Sequence, residues 1–294
     1  MYEICGKYQV IQEIGKGKFG IVYKGKTKKN DFIAIKFDYL NLGMLKHETT
    51  ILNYLHQHGC KHIPLVYWFG ISKEPLYQDL DIQCLIIPFY ECSLTDYMKF
   101  KEITIKRLNA IMYKILEILD NVHDKFVIHR DIKPDNIMVK DGHIFLIDFG
   151  LSTIFVDVNK KHKKYQEIQN TILGTPKYIS HNIHQGIEPS RRDDLISLGY
   201  MYINMFMGSL PWDNLYNNNE SICEIPILHI NHPRNLERFN LKQWKNIEYT
   251  CKIINDSCIY NFMNELYNLG YDERPRYDFW KEQFLHQLKE TRRP

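Results

Sequence analysis

Apolar and polar positions change rhythm close to residue 90. Before it, short stretches alternate or run apolar as strands do. Tyr8–Ile14 and Ile21–Lys26 flank a glycine turn, Phe32–Phe37 is rich in β-formers, and Cys84–Phe89 suits a buried strand. Between the last two, Met44–Leu55 has helical spacing, with Leu45, Ile51, Leu52 and Leu55 on one side. A small sheet with one helix is therefore expected up to about residue 87. After Ser93 the period turns helical. Thr104–His123 carries Ile105, Leu108, Ile111, Met112, Ile115, Leu116 and Leu119 at that period, with Thr104 in the N-cap region. Further helices are predicted over Arg192–Met207, Leu241–Ile254, Ser257–Leu269 and Tyr277–Lys289. There is no internal repeat and no low-complexity linker, and the basic run Lys160–Lys164 falls in a loop.

Composition narrows the class. The chain has 294 residues, enough for one large domain or two lobes, and its 44% apolar and 25% charged content is that of a soluble globular protein. A net charge of +3 does not argue for nucleic acid or membrane. Seven cysteines lie scattered without a Cys-x-x-Cys pair, which reads as reduced thiols in a cytosol-like compartment, with neither a disulfide frame nor a zinc site. The N-terminus lacks a signal pattern, and no apolar run approaches the ~18 residues of a membrane span. The expectation is a soluble monomer, cytoplasmic or nuclear, with no membrane partner. The wealth of Asn, Ile, Lys and Tyr reads as codon bias of an AT-rich genome such as a parasite's or a large DNA virus's. A viral protein would then act in the host cell.

The chemistry is concentrated in His129-Arg130-Asp131-Ile132-Lys133-Pro134-Asp135-Asn136, followed by Asp148-Phe149-Gly150. These turns carry a proton acceptor, a cation and two oxygen donors for a metal, a set that suits phosphoryl transfer from ATP to a hydroxyl. Asp131 would accept or orient the substrate hydroxyl proton, Asn136 and Asp148 would hold Mg²⁺, and Lys133 would offset charge on the transferred group. Upstream, Gly15-Lys16-Gly17-Lys18-Phe19-Gly20-Ile21-Val22 lies between two predicted strands. Alone it could equally be a dinucleotide-binding turn, but the chain continues as a strand where that fold needs a helix. The catalytic run, the Asp-Phe-Gly and the glycine loop with Val22 together resemble the signatures of protein kinases. On that resemblance, Lys36 in Ala34-Ile35-Lys36 pairs with the α/β-phosphates. It needs an orienting carboxylate, and Glu48 is the only acidic residue between Asp38 and Glu74. The adenine pocket should be apolar. Ile14, Val22 and Ala34 are expected as its ceiling, Met138 as its floor and Ile87 as the gatekeeper. Backbone groups around Pro88–Tyr90 would serve the adenine edge, and Asp96 the ribose.

Four later segments are similar to the casein kinase 1 family: Leu173–Tyr178, Ser190–Tyr200, Gly208–Trp212 and Tyr271–Pro275. Ser180-His181-Asn182 stands where most kinases have Ala-Pro-Glu, and that family also lacks the usual triplet. The resemblance implies a single kinase domain over 1–294. It would be an α+β, bilobal fold with a small β-rich N-lobe carrying one helix to about residue 87, a hinge at about 88–92, and a larger mainly helical C-lobe over 93–294. It implies serine/threonine specificity on protein substrates, with Thr175 facing Asp131, and it places Asp194 against the backbone of the His129–Asp131 turn. The Arg191–Asp194 run is expected to form an internal network. Lys177 stands where the family has an arginine of a basic substrate-anion pocket, but Asp213–Glu224 carries acids and no lysine, so a preference for phosphorylated substrates is left open. The chain ends without the regulatory tail of some members, so activity without a switch of its own is expected. Three other readings compete with this one: a pseudokinase-type binding module, a nucleic-acid contact through Lys160–Lys164, and a small-molecule kinase.

Overall fold

The computed structural model describes residues 3–17, 20–38, 43–74, 77–100, 104–164, 170–213 and 229–290. The chain divides into two compact units: Met1–Ser93 with Met138–Leu151, and Leu94–Ile137 with Ser152–Pro294.

The first unit is built on a six-stranded antiparallel sheet. Its strands are β1 (Glu3–Ile4), β2 (Tyr8–Gly17), β3 (Gly20–Thr27), β4 (Phe32–Asp38), β5 (Trp68–Glu74) and β6 (Tyr77–Pro88), in the order β1-β2-β3-β4-β6-β5. The period of two sorts its side chains. Ile33, Ile35 and Phe37 join Ile21, Tyr23, Cys84 and Ile86 in one buried cluster, while Ala34, Leu85 and Ile87 pack with Leu45 in another. Leu45 belongs to α1 (Met44–Gln57), the one α-helix among this unit's described residues, which buries Leu45, Glu48, Thr49, Ile51, Leu52 and Leu55 and starts from Gly43 at φ 73°. The expected apolar stripe is therefore present, with one carboxylate inside it. A small antiparallel pairing sets Cys92 opposite Val139 and Ser93 opposite Met138.

The second unit is mainly helical: α2 (Leu94–Phe100), α3 (Ile105–Asp124), α4 (His181–His184), α5 (Arg191–Met207), α6 (Pro233–Leu241), α7 (Trp244–Ile254), α8 (Ser257–Asn268) and α9 (Tyr277–Glu290). Thr104 caps α3 by accepting the Arg107 N–H, as the sequence predicts. α5 is buried continuously from Asp193 to Met205, the mark of a helix at the centre of its unit. A capping box of Ser190 and Asp193 opens it and Gly208, left-handed at φ 79°, closes it. Among the described residues no helix is long and apolar enough to cross a membrane. A β-rich first unit and a mainly helical second unit match the α+β class expected from the resemblance.

One predicted helix is corrected. Leu241–Ile254 is not continuous: α6 ends at Leu241 and α7 begins at Trp244. The break falls at Lys242, whose side chain is drawn wholly into the core by backbone carbonyls.

Candidate functional site

In the first unit, β2 and β3 meet with Gly17 opposite Gly20, while Lys18 and Phe19 lie outside the described residues. The glycines are there for different reasons. A Cβ on Gly20 would stand 1.7 Å from the Phe37 carbonyl oxygen, so the sheet itself demands glycine. A Cβ on Gly17 would meet nothing within 4 Å, and one on Gly15 only the Val22 Cβ at 4.0 Å. Packing among the described residues therefore leaves room at Gly17, as a loop that lets a phosphate approach its N–H groups must. Gly20→Ala is expected to cost about 3 kcal/mol in a denaturant melt. Gly17→Ala should leave the melt unchanged and, on the resemblance to kinases, raise the KM for ATP.

Lys36 sits on the same face of β4 as Ala34 and reaches Glu48 at 2.8 and 3.1 Å. Asp148 Oδ1 is 3.7 Å from the same ammonium. Burial would push the Lys36 ammonium down, but Glu48 and then Asp148 outweigh it and hold it above the usual lysine range. Burial pushes the Glu48 carboxyl up, and Lys36 pulls against it. The predicted lysine–glutamate pair is thus formed, with one buried acid and one, Asp148, whose side chain is 47% exposed. Asp148 also holds a left-handed backbone at φ 68°, uncommon outside glycine and frequent at functional turns.

Of the expected adenine contacts, Ala34 and Ile87 are cross-strand partners, and Val22 packs against their cluster. Ile14 is 44% exposed, apart from that cluster. Tyr90 is buried against Phe145, and the Phe89 N–H is given to the Phe32 carbonyl. Met138 is half-buried in the small pairing opposite Ser93.

In the second unit, the Asp131 carboxylate is held at both oxygens. Oδ1 accepts from the Thr175 N–H at 2.9 Å and the Thr175 hydroxyl at 2.7 Å. Oδ2 accepts from Asn136 Nδ2 at 3.1 Å and lies 2.7 Å from Lys133 Nζ. Lys133 Nζ also donates to Thr175 Oγ1 at 2.9 Å. Asn136 gives its amide hydrogens to Asp131, to the main-chain oxygen at 2.9 Å and to Oδ2, so its remaining polar atom is an acceptor. The Asn136 amide oxygen in the second unit and the Asp148 carboxylate in the first are each a hard oxygen donor of the kind that Mg²⁺ takes.

The turn that presents Asp131 is fixed from α5. Asp194 accepts the His129 N–H at 2.7 Å, the Arg130 N–H at 2.8 Å and His123 Nε2 at 2.9 Å, as the sequence places it. His123 Nδ1 bonds the Tyr277 hydroxyl of α9, a link no local pattern announces. Burial alone would raise the Asp194 carboxyl, but the bond and charge of His123, with His129, hold it below the usual aspartate range. A carboxylate so depressed stabilises the fold above its unfolded pKa of about 4, and that contribution is lost as pH falls through the lower folded value. The stability gap between wild type and Asp194→Asn, from urea melts across pH, should be flat above about pH 5 and close below it.

The Arg191–Asp194 run is an internal network. Arg191 donates to the Asp272 carbonyl, Arg192 to the Leu269 carbonyl, and Asp193 accepts from Ser180 and Asn182. Arg274, whose partner the sequence does not name, pairs with Asp120 at 2.9 Å and Asp124 at 3.3 Å on α3. Lys177 pairs with Asp213 at 2.8 Å, and the rest of the acidic stretch to Glu224 lies outside the described residues. Asp96 pairs with Lys99 in the first turns of α2. The Lys160–Lys164 run forms a turn around Asp157, which accepts the Asn159 and Lys161 N–H groups, and His162 packs against Phe155 and Tyr271.

A lysine–glutamate pair beside an Asp-Phe-Gly, and a catalytic-loop aspartate held by Lys, Asn and Thr, are protein-kinase features. The chain belongs to the protein kinase family: the family model "Protein kinase domain" matches residues 8–279. It is similar to Casein kinase I homolog 1 of Schizosaccharomyces pombe, 31% identical over 293 residues. The match covers 96% of this chain and 61% of that relative, so the chain spans about three-fifths of its length.

Proposed function

We propose that this chain is an ATP-dependent serine/threonine protein kinase of the casein kinase 1 type. The observation that carries the reading is the Asp131 carboxylate, engaged at both oxygens by Thr175, Asn136 and Lys133. That is a group made to orient a hydroxyl for in-line attack beside a cation that can follow the charge to the transferred phosphoryl. Positioning and charge neutralisation are most of what such a transfer needs. Thr175 donates its hydroxyl to Asp131 while accepting from Lys133, so a substrate hydroxyl can take the place of the Thr175 hydroxyl without stripping Asp131 of its cation.

Lys36, kept charged by Glu48 and Asp148, serves the α/β-phosphates, and the open Gly17 leaves backbone N–H groups accessible to them. Asn136 Oδ1 and the Asp148 carboxylate would hold Mg²⁺, which when bound neutralises charge on the phosphate oxygens. Lys177 is already answered by Asp213, so the preference expected of this chain is for unphosphorylated serine or threonine, with at most a weak demand for nearby acids.

The test is phosphate incorporation from labelled ATP–Mg²⁺ into a peptide library, with Asp131→Asn as control. Serine and threonine peptides should be labelled by the wild type only. A folded wild-type protein that binds ATP and labels nothing would make the chain a pseudokinase. Strong selection of pre-phosphorylated peptides would overturn the assignment for Lys177.

A further inference from the structure

Lys242 is wholly buried at the junction of α6 and α7. Its ammonium donates to the Pro176 carbonyl at 2.8 Å, the Ile179 carbonyl at 2.7 Å and His184 Nε2 at 3.0 Å. The rings of Tyr200 and Trp212 stand 5.1 and 4.8 Å from the nitrogen. No carboxylate is among these contacts. An uncompensated buried charge is costly unless every donor is met. Here three hydrogens meet three acceptors and two aromatic faces, each of which attracts a cation. Burial first, then Arg238, push the ammonium well below the usual lysine range, with Asp213 opposing.

The three acceptors come from one stretch of chain. Pro176 directly follows Thr175, whose N–H and hydroxyl are given to Asp131. Between Pro176 and Ile179, the Lys177 carbonyl accepts from Trp212 Nε1 at 2.8 Å. Just beyond, Ser180 and Asn182 bond Asp193. The segment is thus pinned on Asp131 at one end and on Lys242 at the other. His184 completes the anchor in a single tautomer. Asn235 gives its amide hydrogens to carbonyls, so its Oδ1 accepts from His184 Nδ1–H, which leaves Nε2 to accept from Lys242. Asn235 returns its amide to the His184 and Ile230 carbonyls.

We propose that Lys242 is a positioning residue for substrate: it fixes the backbone of the Thr175–Ile179 segment, and through it the place where the peptide beside the target hydroxyl docks. The inference rests on the kinase reading above. Lys242 touches neither ATP nor the reacting atoms, so its loss should be felt in peptide use and not in nucleotide use. Lys36 and the glycine loop, which serve the nucleotide in that reading, belong to the other unit.

Lys242→Met keeps length and removes all three hydrogens; Lys242→Gln keeps a shorter donor. Both are measured below their melting transitions, with KM and kcat determined separately for ATP and for a serine peptide that the wild type phosphorylates. For Lys242→Met, kcat/KM for the peptide should fall by about tenfold or more, mainly through KM, with the KM for ATP within about twofold of wild type. Lys242→Gln should show a smaller loss of the same kind. Peptide kinetics unchanged in folded variants would overturn the proposal. So would parallel losses for ATP and peptide, or failure of both variants to fold, since either makes Lys242 a support of the core alone. A wild type that phosphorylates no peptide would instead sink the kinase reading.

Discussion

Asp131→Asn should lower phosphoryl transfer by about a thousandfold or more while the protein still folds. The two side chains have the same shape, so the change is one of donors and acceptors. Every contact of the Asp131 side chain is with a donor: Thr175 N–H and hydroxyl on Oδ1, Asn136 and Lys133 on Oδ2. An asparagine has one acceptor oxygen and one NH₂. Whichever way it turns, its hydrogens face either the Thr175 donors or the Asn136 and Lys133 donors in a buried site. The conflict costs about 1–3 kcal/mol of stability, visible as a drop of a few degrees in the melt. Turnover suffers more, because the variant can neither orient nor accept the hydroxyl proton and leaves Lys133 without its carboxylate. Steady-state kinetics beside a thermal melt measure both quantities. Turnover within about tenfold of wild type would remove Asp131 from the role of acceptor.

Much of this was legible in the chain. Lys36 could be paired with Glu48 because no other acid lies on the intervening helix, and the structure joins them at 2.8 Å. Asp194 could be set against the His129 turn through the resemblance of its segment, and it accepts two of that turn's N–H groups. The core helices were readable from period alone because their apolar stripes are long, as in α3. What was not legible depends on distance in sequence. β5 was missed: Trp68–Glu74 carries Gly70, Ser72 and Lys73 and gains its strand character only from pairing with β6. The short α2 and α4 offer too few turns for a period to show.

Polar partners are the second blind spot. Lys242 reads locally as an ordinary basic residue at a helix end, and only the folded chain shows its ammonium among carbonyls 63 and 66 positions away. Arg274 likewise waits for α3, where Asp120 and Asp124 lie one helical turn apart. The Ala-Pro-Glu glutamate is absent from Ser180-His181-Asn182, and Arg274 is answered from α3 by Asp120 and Asp124. The work of holding the neighbouring segment falls instead to Asp193, on Ser180 and Asn182, and to Lys242, on Pro176 and Ile179. A carboxylate anchor and an ammonium anchor, both from the helical core, thus bracket a stretch whose other end is tied to Asp131.

Lys36→Met should cut turnover by orders of magnitude and also destabilise the first unit, and the two effects can be separated. Glu48 is 1% exposed, and Lys36 is the cation that draws its carboxyl down against burial. Removing one partner of a buried pair costs about 3–5 kcal/mol, because the remaining charge is stranded. Glu48 can escape only by taking up a proton. Its folded pKa then lies further above the unfolded value, so the variant is least handicapped in acid. It loses stability as pH rises from about 4.3 to that folded value, and the deficit is constant beyond it. Lys36 itself, raised in the folded state, contributes below about pH 10.4 and adds no slope near neutrality. Adding Glu48→Gln should restore most of the lost stability and flatten the pH dependence. It should not restore turnover, because in the proposed function the missing ammonium is the group that serves the phosphates. Urea melts from pH 4 to 8 on both variants, with ATP KM and kcat at pH 7, read the two effects independently. Recovery of activity along with stability in the double variant would show that Lys36 serves the fold and that some other cation serves the nucleotide.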